Sequence, residues 1–156
     1  MENLTINKEN AIKAFDEANE KGKTLLRNLF GEKVFTKDIM ERIDSLKAAL
    51  EYNGKTQEQF DWETERDSEA QKAEKAIEEI ATALREGKPL AMGQPWYYPY
   101  FKRNTGSSVG FSAGGYFCDF DRAVVGARRS VDTPEKAIYL GKKFIEYYNK
   151  TLAPTR

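Results

Sequence analysis

The residues whose type and spacing come nearest to chemistry are Asp119 and Asp121, two apart on a stretch that reads as a strand. That spacing puts both carboxylates on one face, where oxygen ligands suit a hard divalent cation. No third ligand lies nearby in sequence, and Asp132 could join only through the fold, so the pair reads as a solvated strand end beside Arg122. No metal or cofactor is assigned. Cys118 is the only cysteine. It could act as a nucleophile only if a neighbouring cation lowered its pKa; the commoner role is a small apolar residue on a strand. The run Thr105-Gly106-Ser107-Ser108-Val109-Gly110 hints at a phosphate cradle. Such a cradle opens a helix and carries a Gly-Lys-Ser/Thr element. This one lies between strands without that element and reads as a hairpin turn.

The chain contains no histidine. Ser-His-Asp and Cys-His nucleophilic sites, histidine acid–base catalysis and histidine-bearing zinc sites are therefore excluded. A single cysteine also rules out thiolate metal clusters. The expectation is a non-enzymatic protein. What remains is a set of cations interleaved with aromatic rings, from which Tyr100, Lys102, Arg103, Tyr116, Arg122, Arg128 and Arg129 are taken as candidate binding residues. Rings and guanidinium groups on one sheet face can stack bases and meet phosphates. The competing reading makes the rings the core under the last helix and the cations its solvated rim.

These residues fall in the second half of the chain, where the sequence period changes. Trp96, Tyr98 and Tyr100 alternate with Tyr97, Pro99 and Phe101, as in a strand. Pro99 cannot donate a ladder hydrogen bond, which places that strand at an edge. A turn at Asn104–Ser107 leads to a second strand with Val109 and Phe111. Ala113-Gly114-Gly115 reads as a break, Tyr116–Phe120 as a third strand, and Ala123–Val131 as a fourth. Thr133-Pro134-Glu135 is a strong helix start, with a capping hydroxyl, proline at the first position and acid in the first turn. One helix is predicted over 133–150. Gly141 in its middle is costly unless the helix closely approaches the sheet.

The first half reads as helical. Asn7 caps a predicted helix that runs to Gly31 with apolar residues at three- and four-residue steps. Thr36 caps a second, with Ile39, Ile43, Leu46 and Leu50 as its stripe. Residues 55–67 read as a loop pinned by Phe60 and Trp62. Ser68 starts a third helix whose narrow, alanine-rich stripe suggests that it covers the edge of the core. The predicted fold class is α+β: three helices over residues 1–90, then a three- to four-stranded antiparallel sheet packed by a C-terminal helix over 91–156, in one compact unit.

Net charge is zero, but residues 1–90 carry −5 and residues 91–156 carry +5, and 13 of the 19 aromatic residues follow residue 90. The zero total and the acidic helical half favour a protein partner over nucleic acid. Single-stranded nucleic acid is the alternative for the basic half, and a homodimer is a further one. Met1–Thr5 lacks both the basic start and the apolar run of a signal peptide, and no stretch approaches bilayer-spanning length. The expected location is cytoplasmic.

Several segments look familiar together. They are Tyr97-Tyr98-Pro99-Tyr100-Phe101, Gly110-Phe111-Ser112, Gly114-Gly115-Tyr116, Val125-Gly126-Ala127-Arg128 and Gly141-Lys142-Lys143-Phe144-Ile145, with Leu29–Phe35 and Asp38–Ile43 in the first half. The chain thereby resembles a family of small uncharacterised proteins carried by bacteriophages and prophages of gut Bacteroidetes. The resemblance implies a phage or mobile-element origin and carries over no catalytic residues.

Overall fold

A computed structural model describes residues 8–31, 34–35, 38–89, 93–104, 110–119 and 127–152. The chain divides into two compact units, residues 1–38 and 39–156. The first holds α1 (Lys8–Glu17) and α2 (Glu20–Phe30). The single helix expected here is broken because the Asn19 side chain accepts the Gly22 N–H at 3.0 Å and caps a new helix. Asparagine at such a point offers the backbone an alternative to continuing the first helix. Within this unit the Phe15 ring stacks on Phe35 at 4.4 Å, and the Arg27 guanidinium lies over Phe15. The predicted cap Thr36 lies outside the described residues.

The second unit begins with α3 (Ile39–Arg42), α4 (Leu46–Tyr52), α5 (Gln57–Glu63) and α6 (Glu69–Leu84). Again one expected helix is two, because Ser45 caps α4 by accepting the Ala48 N–H. The expected loop at 55–67 contains α5, set by a reciprocal capping box between Thr56 and Gln59. Of its two pinning rings, Phe60 is buried, whereas Trp62 stands 78% exposed. Ser68 and Gln71 form the equivalent box that starts α6. This helix is the centre of the core rather than its edge: Ala73, Ile77, Ile80, Ala81 and Leu84 are all buried. Alanine does not narrow its role; small side chains let α4 and α8 approach closely on either side.

The architecture is α+β, and among the described residues the sheet has two antiparallel strands, β1 (Trp96–Arg103) and β2 (Phe111–Asp119). The expected break at Ala113–Gly115 is a β-bulge between Tyr100 and Phe101, so β2 runs straight through it. Phe120–Gly126, including most of the predicted fourth strand, lie outside the described residues. Ala127–Arg129 form a 3₁₀ turn, and Val131 contributes a single rung beside Tyr97, its N–H and C=O both bonded to Tyr97 at 2.8 and 2.9 Å. Two residues further along that same edge stands Pro99, which has no N–H for another rung.

The C-terminal helix is also two: α7 (Pro134–Lys143) and α8 (Ile145–Leu152), with Phe144 at the break. The break lets α7 lie on the hairpin while α8 lies along α6. Close approach at Gly141 is observed: a Cβ there would sit 2.7 Å from Pro99 Cβ. Among the described residues no helix is long and apolar enough to cross a membrane.

Candidate hairpin binding surface

Strand alternation sorts the hairpin residues onto two faces. Tyr97, Pro99 and Phe101 turn toward the helices, with Phe101 packed on the buried Tyr148 at 4.4 Å between ring centroids. Trp96, Tyr98, Tyr100 and Lys102 take the other face. On β2 the bulge decides the assignment. Without an extra residue Tyr98 would pair with Tyr116; with it, Tyr98 pairs with Phe117 and Pro99 with Tyr116. The open face therefore carries Tyr98, Tyr100 and Phe117, with Phe117 at 6.1 Å from Tyr98 and 4.9 Å from Tyr100. Phe117 is 55% exposed.

The glycines of the bulge make this cluster possible. Tyr100 lies across them: a Cβ on Gly114 would collide with its ring, and one on Gly115 would come within 2.8 Å of it. Trp96, at the base of the same face, is 5% exposed and so contributes nothing accessible.

The seven candidate residues do not form one surface. Tyr100 and Lys102 share the open face. Arg103, one residue on, points to the opposite side. Tyr116, 41% exposed, sits on the helix side with its ring edge against Tyr97. Arg122 lies outside the described residues. Arg128 and Arg129 belong to the 3₁₀ turn against α6, and Arg129 pairs with Glu74 at 3.4 Å. Lys102 and Arg103 form no ion pair among the described residues. Tyr98 and Phe117, absent from the candidates, complete the open face. Alternation along β1 already signals Tyr98; Phe117 becomes visible only once Gly114-Gly115 is read as a bulge.

What holds the 3₁₀ turn in place is Arg85, at the end of α6. Its buried guanidinium donates to the carbonyls of Arg128, at 3.2 Å, and Ser130. Burial pushes its pKa down, and Asp132 opposes that shift. Beside it a cleft of about 400 Å³ is lined by Phe60, Glu63, Glu79, Thr82, Arg85 and Arg128. Part of its charge is satisfied internally. Lys55 donates to Glu63 and Glu79 at 2.8 and 2.7 Å, and these hydrogen bonds, Glu63 first, raise its pKa. Among the described residues no group of three or more Cys, Asp or Glu side chains is placed to hold a metal ion, and Asp121 lies outside them.

Comparison of the chain with protein-family models, with curated proteins and with solved structures gives no match.

Proposed function

We propose that the chain is a non-enzymatic binding module that engages a protein partner through the open face of the β1–β2 hairpin, at Tyr98, Tyr100, Phe117 and Lys102. The observation that carries this reading is Phe117, a large ring kept 55% exposed within a cluster rather than alone. Clustered, half-exposed aromatic rings are the usual anchors of protein interfaces. The reading extends to a cytoplasmic module of phage or mobile-element origin, in line with the sequence resemblance. It also extends to a sheet of three or four strands, in which the Val131 rung belongs to a third.

Capture from host lysate on immobilised full-length chain tests the proposal. A defined protein retained by the wild type should be lost with Phe117→Ala and reduced with Lys102→Ala. Equal retention by all three would reject the open face as the contact. A second reading, single-stranded nucleic acid, draws on Lys102 next to stackable rings. It requires retention of an oligonucleotide that weakens steeply with salt. No retention at low salt would remove it.

A further inference from the structure

The two outer edges of the hairpin are built differently. On the β1 edge, the Val131 rung at Tyr97 is followed at the next outward position by Pro99, and the strand ends in Lys102-Arg103. These are the usual devices that stop a strand from recruiting another. The β2 edge carries less protection: beyond the bulge at Gly114-Gly115 it has no proline, no further strand rung among the described residues, and a charge only at its last residue, Asp119.

Hydrogen-bond parity shows which β2 groups are available. Both backbone groups of Tyr97 turn away from β2 toward Val131, so its partner Cys118 turns both of its own away from β1. The same holds two residues back at Tyr116, opposite Pro99. Past the bulge the parity shifts and Phe111 points outward; its N–H is already taken by Asn149 Oδ1 at 2.7 Å. Tyr116 and Cys118 have no such backbone partner among the described residues. Donors and acceptors two residues apart on an extended edge match another extended strand.

From this we infer that β2 pairs antiparallel with β2 of a second copy of the chain, about a two-fold axis at Phe117. The segment complements itself. Tyr116 of each copy meets Cys118 of the other, a large side chain beside a small one, and the four outward backbone groups of each copy are satisfied. Phe117 meets Phe117 of the second copy on the open face, in a non-hydrogen-bonded pair that brings side chains closest. Asp119 falls opposite Gly115, so no like charges are opposed. An isologous contact of this kind closes on itself as a dimer and joins two hairpins into one four-stranded sheet, with both open faces on the same side.

Sedimentation equilibrium of the full chain over a wide concentration range should show the mass rising reversibly from 17.8 kDa toward twice that value. Cys118→Pro deletes an outward N–H without touching the β1–β2 ladder, and Tyr116→Lys places a charge on the edge. Each should weaken association at least tenfold while the circular dichroism spectrum stays unchanged. In a Cys118→Ser background, Phe117→Cys should form an intermolecular disulfide on mild oxidation, since such pairs have Cα atoms about 4.5 Å apart. Tyr98→Cys, one strand away, should not. A monomer at all concentrations, a dimer indifferent to both edge variants, or cross-linking no faster at 117 than at 98 would each overturn the inference. Cys118→Pro keeps the open-face rings, so loss of the dimer and loss of partner capture are separate results.

Discussion

On one face of the β1–β2 hairpin, Pro99 lies under Gly141 and Phe101 is packed on Tyr148. On the other, Tyr98 and Tyr100 both meet Phe117, and Phe117 stays half in water. Both faces draw on the same aromatic residue types. Which rings face the helices is set by two backbone features: the glycine that admits α7, and the extra residue at Gly114-Gly115 that moves Phe117 rather than Tyr116 to the open side. Residue type alone does not separate a buried ring from a presented one; parity along the strand assigns the face, and burial on that face then varies, since Trp96 is buried on the open side and Tyr116 exposed on the helix side.

The largest effects should come from the sealed face. Leu140→Ala, on α7 and fully buried, should cost about 3 kcal/mol in denaturant unfolding. Gly141→Ala tests the close approach by its sign. In an exposed helix interior the change stabilises by about 1 kcal/mol, but here the new methyl meets Pro99, and a loss of about 1–3 kcal/mol is expected. A gain would show that α7 does not seat against the strand. On the open face, Phe117→Ala should cost less than about 1 kcal/mol, the worth of its exposed ring contacts. A cost as large as that of Leu140→Ala would make Phe117 a core residue. The opposite sign belongs to Tyr148→Phe. The hydroxyl is buried without a hydrogen-bond partner among the described residues, and burial pushes its pKa well above the ordinary tyrosine range. An unsatisfied buried polar group costs about 1–3 kcal/mol, so removing it should leave the melting temperature unchanged or raise it.

Much of this was legible in the sequence where a local signal had a single meaning. Ser68, and Thr133 followed by Pro134, start helices as read, and Gly141 marks close approach. The Thr56–Gln59 box was equally readable but was masked by the polar character of residues 55–67. The divided helices were harder: Asn19 and Ser45 fit an interior or a cap, and neighbouring packing decides between them. Phe144 breaks the last helix where its two halves meet different partners, α7 the hairpin and α8 helix α6, which no local pattern records. The open face was half legible. Tyr100 and Lys102 follow from alternation, but Gly114-Gly115 reads equally as a turn or a bulge, and that ambiguity exchanges Tyr116 for Phe117. The arginines of the 3₁₀ turn were misplaced because Arg85, 43 residues before Arg128, holds them against α6.

Trp62 supplies the control that separates presentation in a cluster from exposure alone, since it is a still more exposed ring at 78% and belongs to α5 rather than the hairpin. The most direct measurement installs a photo-cross-linking residue at position 117, and separately at position 62, in the full chain within cell lysate. The open-face account predicts a defined heterologous species captured from 117 and absent from 62. The same pattern from both positions, or no heterologous species from 117, would contradict it.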